Sequence, residues 1–387
     1  MPEVSDFAMR TYGELRPPSR LLLGAGPSNV DPCVLKALSL PIVDHLDPFF
    51  MRVMDETVEL LRYCFRTRNY ITFPISGTGS AGMESAICNT VQRGDDVVVC
   101  VNGFFGERMA EMVSRCGGNP ILVEADWGEA VSKEDVESAL SESDAKVVTI
   151  VHAETSTGVL QPIKEISKVV HEYGAHLLVD AVTSLGGCEL DVDGFGIDIC
   201  YAASQKCLGC PPGLAPITAN EPVMERIRGR GSKVQSWYLD LSTIEEYWVK
   251  NNRAYHHTAP ILLVYALREA LRLLYEEGLE VRWERHRRSW SLLVEGLEDL
   301  GLEFHADERY RCPVITSVKV PKGVSDENVR RTLREEFNIT ISGGLGKLKG
   351  KIWRIGLMGV NANEETVQIL LRALREALKK EGFHAGQ

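Results

Sequence analysis

No uninterrupted apolar run in this chain approaches the roughly 18 residues that a membrane-crossing helix needs, so a membrane-embedded protein is not expected. The start Met1-Pro2-Glu3-Val4-Ser5-Asp6 lacks the basic and apolar regions of a signal peptide, and a cytoplasmic protein is expected. Basic charge is also scarce: 43 Lys and Arg stand against 54 Asp and Glu, a formal net charge of -11. Nucleic acid and anionic membranes both reward a basic face, so neither is expected as a partner, while local anion sites stay open. With 34 glycines, 17 prolines and 44% hydrophobic residues, the composition fits neither a disordered nor a collagen-like chain. Clustered cysteines are missing as well. Ten cysteines scatter through apolar stretches such as Val97-Val98-Val99-Cys100, where buried thiols are expected. Cys207-Leu208-Gly209-Cys210 is the one CxxC; with no second pair beside it, structural thiols are the expectation and a thiol- or metal-binding module the non-enzymatic alternative.

The length of 387 residues predicts two or at most three domains at roughly 100–200 residues each. From about residue 70 to 220, short β-branched runs alternate with segments of helical period, which predicts βαβ units around a mainly parallel sheet. The expected strands are Ile71 to Ile75, Val97 to Val101, Ile121 to Glu124, Val147 to Val151, His176 to Asp180, Ile197 to Ala202 and Leu214 to Thr218. Most are apolar throughout, as a sheet covered on both faces requires. Ile163, Ile166, Val169, Val170 and Tyr173 recur at helical spacing, with Gly174 as the stop. Beyond about residue 260 the texture changes to long charged helices, two strand-like pieces and a last helix from about Glu364 to Lys380, as in a smaller α+β domain. The expected organisation is an N-terminal arm over 1–20, a large domain over 21–275 and a small C-terminal domain over 276–387.

Three features carry chemistry. Ser76-Gly77-Thr78-Gly79-Ser80 links a strand to a helix, and such a turn makes an anion cradle, because free N–H groups and the helix dipole converge there. It lacks the Gly-Lys-Ser/Thr ending of a P-loop and the GxGxxG spacing of a dinucleotide site. Asp180 ends a strand at the carboxyl edge, where ligands sit in open α/β sheets. Lys206, at the end of Ala202-Ala203-Ser204-Gln205-Lys206, is expected to close a strand in an apolar, serine-rich setting, and a desolvated lysine is a good imine-forming nucleophile. Each alone fits a structural role: a capped turn, an N-cap, a surface charge. Together they suit pyridoxal 5'-phosphate, which needs a phosphate cradle, an imine-forming lysine and a carboxylate that keeps its ring nitrogen protonated. Phe105 could stack on the ring or simply fill the core.

At this point the residues resemble a family, the class-V aminotransferase group of fold-type I pyridoxal-phosphate enzymes, nearest to the alanine–glyoxylate and serine–pyruvate aminotransferases. The resemblance runs from Leu21-Leu22-Leu23-Gly24-Ala25-Gly26-Pro27 to Trp353-Arg354-Ile355-Gly356-Leu357, through Glu154-Thr155-Ser156-Thr157-Gly158, Ser204-Gln205-Lys206 and Arg253-Ala254-Tyr255-His256-His257-Thr258. It implies an α/β fold with a seven-stranded, mainly parallel sheet, and a homodimer with shared active sites. It implies that Lys206 binds the cofactor, Asp180 pairs with the ring nitrogen, Phe105 stacks on the ring and Val182 packs on its other face. Thr78, Gly79, Ser80 and Gln205 would hold the phosphate with Tyr255 and Thr258 of a second subunit, Thr155 would contact the ring hydroxyl, and Gly26, Thr155 and Arg354 would bind substrate. An arginine inside an apolar strand independently needs an anionic partner, either a substrate carboxylate or an internal one. The implied reaction moves the amino group of alanine or serine to a 2-oxo acid such as glyoxylate or pyruvate. A cysteine desulfurase-like lyase is the alternative on the same fold, with Cys312 as the one small-domain cysteine. The chain departs from the animal enzymes at Phe105, where they usually carry tryptophan, and at Ser80, where they carry histidine. Ala25 interrupts the family's Gly-Pro-Gly-Pro run, and Asp44-His45-Leu46-Asp47-Pro48 looks like the microbial branch. His256-His257 is not expected to hold a metal, since adjacent residues seldom face one ion.

Overall fold

A computed structural model describes residues 12–250 and 253–383. The expected arm over 1–20 lies outside the described residues up to residue 11, and 12–20 run without regular structure, mostly exposed. In chain order the strands are β1 (Leu21–Leu22), β2 (Ile71–Ser76), β3 (Asp96–Val101), β4 (Asn119–Glu124), β5 (Val147–Val151), β6 (Ala153–Glu154), β7 (Val159–Leu160), β8 (His176–Asp180), β9 (Ile199–Tyr201), β10 (Leu214–Ala219), β11 (Ile315–Lys319), β12 (Ile339–Thr340), β13 (Ser342–Gly343) and β14 (Ile352–Gly356). All seven strands expected between residues 70 and 220 join one sheet, ordered β2-β10-β9-β8-β5-β3-β4. Only β10 runs against its neighbours β2 and β9; the other pairs are parallel. Val97, Val98, Val99, Leu177, Leu178 and Val179 are all fully buried, because helices cover both faces.

The helix Ile163–Glu172 turns Ile163, Ile166, Val169 and Val170 inward. Tyr173, expected on that face, caps the helix end and is exposed, and Gly174 follows at a φ of 66°, the left-handed stop expected of it. Ahead of the sheet, Asp47 accepts the Phe49 N–H and Pro48 opens the helix Pro48–Phe65, which packs on the later helix Ile261–Glu277.

The C-terminal layer is an antiparallel sheet, β11-β14-β13, under the helices Leu279–Asp299, Asp326–Glu336 and Glu364–Lys380. Its separate core includes Leu297, Leu333, Trp353, Ile355 and Leu374. The expected large domain, 21–275, begins with a segment that packs in this layer: β1 pairs in parallel with β12, and Leu23 lies in the C-terminal core. The chain then passes to the main sheet through Gly24-Ala25-Gly26.

Asp198, just before β9, ties the main sheet to the helices on its face. Its Oδ2 accepts the Leu177 N–H at 2.7 Å and His171 Nε2 at 2.9 Å, and its Oδ1 accepts Asn220 Nδ2 at 2.7 Å. Burial pushes the carboxyl up, but His176 and these three donors outweigh it and hold it at about 2. A carboxylate depressed in this way stabilises the fold above its unfolded value of 3.8 and loses that contribution as the pH falls towards about 2. Asp198→Asn is therefore expected to cost about 2 kcal/mol at neutral pH. Urea unfolding at neutral pH and between about pH 4 and 2 checks this: the gap from wild type should close across the acid range.

Candidate active site

The parallel strands end at one edge of the main sheet, and a cavity of about 230 Å³, open to solvent, lies across that edge. Thr78, Gly79, Ser80, Phe105, Thr155, Asp180, Val182, Gln205 and Lys206 line it. Thr78 caps the helix Gly79–Thr90, where the Ala81 and Gly82 amides turn back to the Thr78 carbonyl. The Gly79 and Ser80 amides, in the first turn, find no acceptor among the described residues. A side chain at Gly79 would meet Ala203 Cβ at 2.9 Å and crowd Val182, so glycine lets the backbone reach the cavity.

Phe105 is positioned by a contact that no local pattern reveals. Its helix, Phe104–Arg115, begins at Gly103, which has no side chain to cap it. Glu154 of β6 supplies the cap: Oε2 accepts the Phe105 and Gly106 amides at 3.1 and 3.3 Å, while Oε1 accepts the Ser156 hydroxyl at 2.6 Å. A Cβ at Gly103 would strike Glu154 Cγ at 2.3 Å, so this approach requires glycine.

Asp180 ends β8 in register with Val151 of β5 and Tyr201 of β9. Its Oδ2 accepts the Tyr201 hydroxyl at 2.7 Å and its Oδ1 the Val182 N–H at 2.8 Å. Burial pushes the carboxyl up to about 6, against the pull of those donors and of the Lys206 and Arg108 charges. Lys206 does not close a strand as expected: β9 ends at Tyr201, and Lys206 sits in the following turn. Ser28 holds that turn, its N–H donating to the Gln205 carbonyl at 3.0 Å and its hydroxyl to the Lys206 carbonyl at 3.0 Å. The Lys206 amine donates to the Ala25 carbonyl. Burial, and then the Arg354 guanidinium, lower it to about 8, so about a tenth of the amine is neutral at pH 7.

Gly26 walls this amine in, since a Cβ there would fall 2.6 Å from Lys206 Nζ and its φ is 99°. Arg354 lies buried in β14 of the C-terminal layer, outside the residues that line the cavity, and donates to the Gly343 carbonyl at 2.8 Å and the Thr155 carbonyl at 3.2 Å. No carboxylate pairs with it among the described residues. Burial lowers it to about 10 despite the Glu154 charge. Tyr255 and Thr258 are exposed and do not line the cavity of their own chain. Met83, Arg108, Val151, Ala153 and Thr183 line it without having been expected. Arg108 carried a signal, being three residues from Phe105 and so on the same helix face.

A family model described as aminotransferase class-V matches residues 21–370. The chain belongs to the class-V aminotransferase family. Among its relatives, the (S)-ureidoglycine–glyoxylate transaminase of Bacillus subtilis is 39% identical over 97% of this chain and 94% of its own length. The alanine–glyoxylate aminotransferase of Rattus norvegicus is 40% identical over 94% of this chain and 88% of its own. The crystal structure of an alanine–glyoxylate aminotransferase from Nostoc sp. superposes with a TM-score of 0.95 at 46% identity, covering 97% of this chain and all of that one. The aminotransferase thus has the fold-type I architecture that the sequence resembles.

A cysteine desulfurase from Thermococcus onnurineus NA1 shares the fold at 17% identity and a TM-score of 0.74. Cys312 of this aminotransferase is fully buried, its sulfur 4.0 Å from that of Cys188, rather than borne on an exposed loop. The CxxC is split between environments, with Cys207 beside Cys188 and Cys312 and Cys210 in the main core; burial raises both thiols, that of Cys207 to about 12.

Because the Tyr201 hydroxyl stabilises the charged form of Asp180, Tyr201→Phe should move the carboxyl further up from about 6. Infrared titration of the protein, with Asp180→Asn as the blank, is expected to show a midpoint above that of the wild type.

Proposed function

We propose that this class-V aminotransferase uses pyridoxal 5'-phosphate to move the amino group of a small amino acid, alanine or serine, to glyoxylate or pyruvate. The carrying observation is the meeting, in one cavity, of a buried carboxylate, a lysine of lowered basicity and a helix N-terminus with free amides. The names of the relatives, which include glyoxylate as acceptor, favour that second half of the reaction.

The residues fit the cofactor chemically. Asp180, pushed up by burial, gains most from a cationic partner, and a protonated pyridine nitrogen is one. The Gly79 and Ser80 amides, the Thr78 hydroxyl and the Gln205 Nε2 would donate to the phosphate. Phe105 and Val182 would pack on the two ring faces, and Thr155 would contact the ring hydroxyl. When bound, the cofactor supplies an electron sink next to the substrate α-carbon. Lys206 would anchor it and then, with its amine free, take up and return the α-carbon proton. Arg354, its guanidinium turned to backbone carbonyls, would exchange part of that contact for the substrate carboxylate, with Gly26 and Thr155 around it.

Exposed apolar side chains support an assembly. Trp237, Tyr238 and Tyr255 expose 63%, 41% and 60% of their area, and Ile42, Leu46 and Phe49 are exposed as well. Apolar surface of that kind favours a homodimer in which Tyr255 and Thr258 reach the partner subunit's phosphate.

Two measurements test the proposal. Borohydride reduction of the holoenzyme followed by mass spectrometry should place a pyridoxyl group on Lys206, and Lys206→Ala should lose both that adduct and the amino-group exchange between alanine and glyoxylate by at least about 10³-fold. An adduct on another lysine would overturn the assignment. For shared sites, Lys206→Ala subunits are mixed with subunits carrying Tyr255→Phe and Thr258→Ala. Each heterodimer then has one site with all the defects and one with none, so activity should reappear on mixing. Heterodimers that form without recovery would mean each site is built from one chain.

A further inference from the structure

Arg108 is a cation at the cavity with no ion-pair partner among the described residues, although the Asp180 carboxylate feels its charge. Its Nη1 donates to the neutral Ser80 hydroxyl at 3.3 Å, and no carboxylate pairs with it among the described residues. Asp180, the carboxylate of the cavity, commits its oxygens to Tyr201 and Val182. By contrast, Arg282 and Arg285 elsewhere both bind Glu277. The Arg108 guanidinium also lies 5.2 and 4.9 Å from the centroids of Phe104 and Phe105, so two rings restrict it before any ligand arrives.

Charge decides what it is for. The residues lining the cavity include two cations, Lys206 and Arg108. A phosphate monoester carries about −1.5 to −2 charges near neutral pH, and a helix N-terminus answers only about half a charge. Lys206 stands at the Ala25 carbonyl, and its amine is the group that would bind the cofactor's aldehyde, so it is not free to neutralise the phosphate. Arg354 is not among the residues lining the cavity, and its guanidinium donates to the carbonyls of Thr155 and Gly343. Arg108 alone touches the first turn of the helix Gly79–Thr90, where the free amides are.

We propose that Arg108 is a direct ligand of the cofactor's phosphate, supplying the full positive charge that the helix N-terminus lacks. This rests on the pyridoxal-phosphate reading above. The ligand class it selects is a phosphate monoester dianion on an aromatic aldehyde, and the same aldehyde without phosphate should not sense Arg108.

That contrast is the test. Cofactor-free wild type, Arg108→Lys and Arg108→Gln are titrated with pyridoxal 5'-phosphate and separately with pyridoxal, and binding is read from the absorbance of the bound chromophore. Arg108→Gln should weaken pyridoxal 5'-phosphate by about tenfold or more, which corresponds to at least about 1.4 kcal/mol, and leave pyridoxal within about twofold. Arg108→Lys should fall between, since it keeps the charge without the fork. Pyridoxal binding also reports that each variant is folded. Equal losses for both ligands would reduce Arg108 to a support for Phe105 and overturn the inference, as would no loss for either. A wild type that binds neither ligand would instead overturn the cofactor reading and this inference with it.

Discussion

An amine drawn out of water gives up basicity, and in this chain the withdrawal of Lys206 depends on three parts of the fold meeting at one atom. The turn after β9 carries the lysine, Gly26 closes over it with no side chain, and Arg354 adds positive charge from β14. The Ser28 contacts to the Gln205 and Lys206 carbonyls keep the turn against that wall. Any loosening of the two layers would rehydrate the amine and restore its ordinary basicity near 10.5.

The other groups of the cavity are tuned by the same burial with opposite sign. Asp180 is pushed up where Lys206 is pushed down, so in the free protein both sit closer to neutrality than they would in water. Such a pair of displaced groups is typical of catalytic clefts. The sheet register sets the balance, because β8 and β9 bring Asp180 beside Tyr201, and the Tyr201 hydroxyl keeps the carboxyl from rising further.

Most of the main sheet was legible because buried parallel strands are written as continuous β-branched runs, and each such run between Ile71 and Ala219 became a strand. The cradle was legible for the same local reason, as a strand, a glycine-rich turn and a helix start in sequence. Lys206 was placed on a strand because Ala202 and Ala203 continue the apolar run of β9, whereas the chain has already turned away at Tyr201. The Glu154 cap on the helix of Phe105 was not legible, since a glutamate some fifty residues downstream gives no local sign of where its oxygens point. Tyr173 shows the limit of periodicity in a smaller way: the pattern puts it on the buried face, but the helix ends there and releases it to solvent.

The pairing of β1 with β12 has a consequence for the order in which the molecule can be put together. Leu21 and Leu22 are near the start of the chain, and their partners Ile339 and Thr340 are near its end. During synthesis Leu21 has no strand to join until Ile339 has been made, and closing so long a loop is entropically slow. Gly24-Ala25-Gly26, which follows β1 directly and forms the wall over Lys206, settles only when that late pairing does. The Lys206 amine is then withdrawn from water only once the C-terminal layer has docked on the main sheet.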